Sequence, residues 1–190
     1  VWRCVQRLGK SIQFDIDPDE CNVGEADGTG IPIQGIAKRG KELKVFVQLK
    51  KHGGCRIAGL SIGKYDKQWY KLFKPLKNSL AKFANFQLIT DGDASILKGL
   101  GKKLKIIYQR CLWHIPHQFK FTLWKDKVKH KSPKWADALA MLIDIVNVKS
   151  ILAEDRDAVM IPLITAKKQK LQQLIEYCEN EGWTACSKYL

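Results

Sequence analysis

Two acids in this chain stand beside a glycine at the mouth of an apolar run: Asp27–Gly28 in EADGTGIPIQ and Asp91–Gly92 in FQLITDGDAS. Brought within a few Å of each other, two carboxylates repel, and one would be driven to protonate. A divalent cation relieves that repulsion. Hard oxygen ligands with no His or Cys pair nearby suit Mg²⁺ or Mn²⁺. Two such ions about 3.5–4 Å apart can clamp the attacking and leaving oxygens of a phosphodiester. The glycine beside each acid lets backbone or substrate approach closely. Asp-Gly also marks ordinary turns and is a weak signal alone; it is the joint placement of the two motifs that favours a shared site. A third feature is Cys111 and His114 in QRCLWHIPHQ, a Cys-x-x-His spacing twenty residues after Asp91. As zinc ligands they make half a site, and no second pair has finger spacing. As a Cys–His nucleophile they lack an orienting acid. A lone His in such a place is more often packed or hydrogen-bonded.

The elements that must position these residues follow from periodicity. Val23–Ile33 is expected as a strand with Asp27 and Gly28 near its end. ELKVFVQLKK alternates Leu43, Val45, Val47 and Leu49 with Lys44, Gln48 and Lys50, which predicts a period-two strand whose lysine face is wet. HGG makes a turn, and CRIAGLSIG is a third strand, so the first third is an antiparallel meander. Trp69, Leu72, Phe73, Leu76 and Leu80 recur at helical spacing, with Asp66 as the expected cap and Pro75 as a kink or split. FQLIT is a short strand ending at Asp91. DASILKGLGK is a short helix stopped by Gly99 and Gly101. LKIIYQRCLWH is a fifth strand, and beyond His114 only helices are expected, around Leu139–Val146 and Leu171–Cys178. Three antiparallel strands followed by alternating strands and helices is a ribonuclease H-like order. A flavodoxin-like sheet would lack the opening meander.

The chain has 190 residues, is 45% hydrophobic and carries a formal charge of +14. It is long enough for one domain with a real core, or one domain and part of another, and too apolar for a disordered tail. No apolar run approaches a transmembrane span. The first residues, VWRCVQRLGK, lack Met and a signal-peptide core, and are expected to be a chain entered part-way. Six cysteines are scattered with no Cys-x-x-Cys, so reduced thiols are expected. From Asp15 to Asp27 there are six acids and no base, and Pro18 argues that the first four belong to a solvated loop. From Lys98 to Lys134 eleven Lys/Arg face one acid, Asp126, and supply +10 of the +14. Single-sign charge forgoes the pairing that an exposed helix normally gains, which favours contact with phosphates over mere solubility. Trp113, Phe119, Phe121, Trp124 and Trp135 are interleaved with these cations at helical spacing, and are expected in the core rather than as base-stacking platforms.

DGTGIPIQ, then LITDGDASI, then CLWH, in that order, resembles the Mutator-like transposases and their bacterial insertion-sequence relatives over about residues 20–120. The resemblance implies a DDE transposase with a ribonuclease H-like five-stranded mixed sheet and flanking helices, followed by the start of an all-helical insertion. It implies residues 1–20 as an N-terminal segment, 21–130 as the catalytic core and 131–190 as an incomplete insertion. Carried over, Asp27 and Asp91 are the first two catalytic, metal-binding acids. Gly28, Thr29, Gly92, Cys111 and His114 would support the site, and on this reading the cations of the basic Lys98–Lys134 stretch, Lys102, Lys103, Lys105, Arg110 and Lys120, would hold the DNA backbone. The family's Thr-rich, Glu-Arg stretch with the third acid is missing. Glu154 is the best of four remaining candidates, ahead of Glu176, Glu179 and Glu181. The implied cofactor is Mg²⁺ or Mn²⁺. The implied partner is double-stranded DNA at transposon ends and target, with no membrane, and a homo-oligomer in a DNA complex is compatible with it. The implied location is cytoplasmic and nucleoid-associated. Two functions compete: a catalytic domain for phosphodiester hydrolysis and strand transfer, with this chain inactive alone, and a non-catalytic DNA-binding remnant. A host ribonuclease H-like nuclease is weaker because of the Cys-x-x-His.

Overall fold

The computed structural model describes residues 14–30, 42–63, 67–101, 104–148 and 156–190. Asp66, Lys102, Lys103, Glu154 and the Ile31–Ile33 end of the expected first strand lie outside these residues. The chain forms two compact units, one ending at Cys111 and the other beginning at Leu112.

The first unit is α/β. Strands β1 (Val23–Gly30), β2 (Glu42–Leu49) and β3 (Cys55–Gly63) form the antiparallel meander. Helix α1 (Lys67–Phe73) runs into a 3₁₀ turn at Lys74–Leu76 and a short helix α2 (Lys77–Leu80). Pro75 thus splits the segment as its missing N–H requires. Strand β4 (Phe86–Thr90), helix α3 (Ala94–Leu100) and strand β5 (Ile106–Arg110) complete the unit. The sheet is mixed, in the order β3-β2-β1-β4-β5, with β4 parallel to both β1 and β5.

The core lies between one sheet face and the helices. Trp69, Leu72, Phe73, Leu76 and Leu80 are all buried, as their spacing requires, beside Phe46, Phe86, Leu88, Ile96 and Leu100. Phe46 meets Phe73 edge-on at 5.3 Å, and Trp69 stacks on Phe73 at 5.8 Å. Gly99 does not stop α3 but sits inside it, buried against α1, where an added Cβ would lie 2.6 Å from Trp69 Cβ. Gly101 alone ends the helix, at a φ of 82°.

The faces of β2 are the reverse of the expectation. Lys44 and Gln48 are fully buried on either side of Phe46, while Leu43, Val45, Val47 and Leu49 are only half-buried. Chemistry explains the exchange. Lys44 pairs with Glu42 and holds its ammonium 4.8 Å from the Trp69 ring. Gln48 donates to the carbonyls of Asp17 and Cys21 at 2.7 and 3.0 Å and accepts from the Asp17 amide at 2.9 Å. Two polar side chains that satisfy their partners can line a core. The aliphatic face stays open among the described residues, with Ile57, Leu60, Ile62 and Ile107 exposed.

The second unit is helical: α4 (His114–Lys125), α5 (Pro133–Val146), α6 (Arg156–Asn180) and α7 (Thr184–Tyr189). The fifth strand therefore ends at Arg110, and the residues from His114 are already helix, not strand. Its core is Phe119, Leu123, Ala138, Leu139, Leu142, Leu174, Cys178, Trp183 and Cys186. Ser132 caps α5 by accepting from the Trp135 amide at 3.3 Å, with Pro133 at the first turn. Asp126 accepts from the amides of Ala185 and Cys186 at 2.9 and 2.8 Å, which ties the end of α4 to α7. The described cysteines are free thiols, and the hydrogen bond with Cys178, followed by burial, pushes the Cys186 thiol up. Among the described residues no helix is long and apolar enough to cross a membrane.

Candidate functional site

The register of three strands places the candidate acids. In the parallel β1–β4 ladder the last pair is Ala26 with Thr90. Asp27 and Asp91 are each the next residue along their strands. In the β4–β5 ladder the last pair is Thr90 with Arg110, and the Cys111 amide donates to the Thr90 carbonyl at 2.6 Å. Asp27, Asp91 and Cys111 therefore stand at one level, just past the carboxyl ends of β4 and β5, while β1 continues to Gly30 paired with β2. Such an edge is where α/β sheets commonly take ligands. Neighbouring strands lie about 4.8 Å apart, so the two acids are backbone neighbours where the β1–β4 ladder ends.

Each acid is oriented locally. Asp27 is half-buried, and its Oδ1 accepts from the Gly28 amide at 2.8 Å. Alternation along β1 puts it on the open sheet face, opposite Ala26. Asp91 accepts from the Asp93 amide at 2.8 Å, and Asp93 in turn caps α3 by accepting from the Ser95 amide at 2.8 Å. The turn is braced from behind. Thr90 Oγ1 accepts from the Gly92 amide at 3.1 Å and is bonded to the Tyr108 hydroxyl at 3.0 Å. Gly92 has a φ of 100°, and a Cβ there would approach Arg110 Nε to 3.0 Å. The conformation thus favours glycine, and a side chain here would press on the guanidinium beside it.

At Gly28 a side chain would displace a carboxylate. An added Cβ would lie 2.6 Å from Glu42 Oε1, on the face opposite Asp27, where Glu42 pairs with Lys44. Thr29 is exposed and, by alternation, on the Asp27 face. Lys105 is exposed, and Arg110 is half-buried against Gly92. In the helical unit His114 begins α4; its Nδ1 is shielded from solvent and takes no hydrogen bond among the described residues. Lys120 is exposed on the same helix. Glu176, Glu179 and Glu181 belong to the helical unit, with Glu181 paired to Lys134 at 2.5 Å. Among the described residues no group of three His, Cys, Asp or Glu side chains is assembled for a metal.

Two features of the molecule have no clear signal in the sequence. The Thr90–Tyr108 brace joins residues eighteen apart on different strands, so no short-range pattern marks it. The aromatics after Cys111 depart from the expected core placement. Phe119 is in the core, but Trp113, Phe121 and Trp124 are 72%, 55% and 69% exposed. Helical spacing cannot decide which face of α4 is buried, and Ile115, Phe119 and Leu123 take that face. No protein-family model matches the chain, and no curated protein matches it.

Proposed function

We propose that the unit ending at Cys111 is the ribonuclease H-like catalytic core of a DDE-type DNA transposase. The observation that carries the reading is the β1–β4 register, which brings Asp27 and Asp91 to adjacent positions at one sheet edge. The strand order β3-β2-β1-β4-β5, with the antiparallel meander at one side, supports it. So does the position of Cys111, at the same level on β5.

The donor set fits a hard divalent cation. Asp27 and Asp91 occupy neighbouring backbone positions and each accepts one backbone amide, and carboxylate oxygens are the hard donors that Mg²⁺ or Mn²⁺ prefers. Bound there, the ion would supply Lewis-acid polarisation of a phosphodiester. The chain's own work is positional. Asp27 is held by a sheet strand, and Asp91 by its own Asx turn and the Thr90–Tyr108 brace. Exposed cations such as Lys105 in this unit and Lys120 in the other hold duplex backbone without reading bases, because phosphate contacts position but do not specify.

Thermal unfolding with and without Mn²⁺ tests the reading. The ion should raise the melting temperature by binding the folded state, and Asp27→Asn should remove most of that rise. An equal rise in parent and variant would refute it. The second reading, a DNA-binding remnant without catalysis, draws on the missing third acid among the described residues. It predicts salt-sensitive duplex binding with no metal effect at Asp27.

A further inference from the structure

The outward face of α4 is an unusual surface. Trp113, His117, Lys120, Phe121 and Trp124 lie along one side of the helix, spaced three or four residues apart except for the adjacent Lys120 and Phe121, and all are exposed. They run about 16 Å along the helix, from the rise per residue. Phe121 and Trp124 are stacked, with ring centres 5.4 Å apart and planes 19° from parallel. Trp113 leans on His117 at 5.9 Å. Lys125 covers one side of Phe121 at 4.8 Å. Beyond the helix Lys127, Lys129 and Lys131 are also exposed, and Lys127 and Lys131 take positive φ values of 57° and 60°. The single acid of the stretch, Asp126, is occupied with the Ala185 and Cys186 amides.

Burial does not account for these rings. Leaving three large aromatics in water forfeits the main gain from having them, and the helix already has Ile115, Phe119 and Leu123 to hold it in the core. Flat faces among cations, with no free acid, match a strand that offers both planar rings and phosphates. We propose that this face of α4 binds unpaired nucleotides, with bases stacking on Trp124–Phe121 and on Trp113 while Lys120 and Lys125 take the backbone. Stacking of this kind tolerates any base, since every base has a π-face. A lipid surface is the poorer match. A membrane-inserting helix separates its aromatic and cationic sides, whereas Lys120 lies within this stripe and Lys125 lies over one of its rings. The inference concerns the helical unit alone and stands apart from the reading of Asp27 and Asp91.

Binding of three labelled strands to the 190-residue protein, followed by fluorescence anisotropy, tests it: a thymidine homo-oligomer, an abasic strand of equal length, and a blunt duplex. The thymidine oligomer should bind about tenfold or more tighter than the abasic strand, since each stacked base contributes on that scale. Trp113→Ala, Phe121→Ala and Trp124→Ala together should erase that difference and leave the salt dependence of the remainder unchanged, because phosphates set the salt slope. Trp124→Phe should keep part of it. These exposed positions can be replaced without unfolding, which an unchanged melting temperature would verify. Equal binding of thymidine and abasic strands by the parent would overturn the proposal. So would a preference that survives the triple substitution, or loss in that variant of binding to phosphatidylserine vesicles but not to the thymidine strand.

Discussion

Gly99 is the position where the packing of the α/β unit can be tested most sharply. It lies within α3 and faces α1, and α3 is the connection between β4, which ends at the residue before Asp91, and β5, which ends beside Cys111. An added Cβ would be 2.6 Å from Trp69 Cβ, 2.8 Å from its carbonyl carbon and 2.9 Å from the Tyr70 nitrogen. Carbon pairs prefer about 3.5–4.0 Å, so the overlap is roughly 1 Å. Two of the three atoms are backbone and cannot rotate away. Overpacking of this size costs about 1–3 kcal/mol. Alanine recovers about 1 kcal/mol of helix propensity over glycine, so Gly99→Ala should lose about 0–2 kcal/mol net. For a unit of this size that is a fall of up to about 16 °C in melting temperature. Gly99→Val, with two more methyl groups in the same gap, should lose clearly more. Lys98→Ala, one residue earlier and exposed, should shift stability by no more than about 0.5 kcal/mol. Thermal and urea unfolding of the four proteins is the assay. A Gly99→Ala protein clearly more stable than the parent, or a Gly99→Val protein as stable as the parent, would refute the close α1–α3 contact.

Phe119→Ala should cost the helical unit about 3–5 kcal/mol, because the ring is fully buried; denaturant titration measures it, and a loss under about 1 kcal/mol would contradict the assigned face of α4. Duplex binding should weaken steeply with salt, and replacing Lys105 and Lys120 by Ala should flatten the log–log slope by about 0.9 for each phosphate that is no longer neutralised; an unchanged slope would remove both lysines from the DNA-binding surface. The Ile16 amide and then the Ser79 hydroxyl hold the Asp15 carboxyl below its ordinary value of 3.8. A depressed folded value contributes stability that is present above the unfolded pKa and lost as pH falls through the folded one, so Ser79→Ala should destabilise at neutral pH and have little effect below the folded value; equal losses at both would count against the bond. With no third acid gathered beside Asp27 and Asp91 among the described residues, the purified 190-residue protein should not join DNA strands with Mn²⁺; metal-dependent joining that Asp91→Ala abolishes would show that the acid is present.

Where periodicity and punctuation agreed, the sequence was sufficient. The meander, the split at Pro75 and the FQLIT strand leading to Asp91 all rest on local rules, and the sheet follows from them. The inversion of β2 shows where such rules stop. Alternation gives the two faces of a strand but not which one is dry; the answer depended on Glu42 and Trp69 for Lys44, and on the backbone of Asp17 and Cys21 for Gln48. The same ambiguity affects Trp113, Phe121 and Trp124, because helical spacing fits either side of α4. The adjacency of Asp27 and Asp91 was legible once β1 and β4 were taken as neighbours. The brace behind Asp91, and the guanidinium against Gly92, were not, since both depend on how separate strands meet.

The central claim is that Asp27 and Asp91 share one ion, and a double-mutant cycle on the metal-induced rise in melting temperature tests it most directly. If the ion is shared, Asp27→Asn and Asp91→Asn should each remove most of the Mn²⁺ increment, and the double variant should lose no more than either single one. Such non-additivity is the mark of two residues acting through one partner. Increments that fall by separate amounts and sum in the double variant would place the two acids in independent sites and contradict the account.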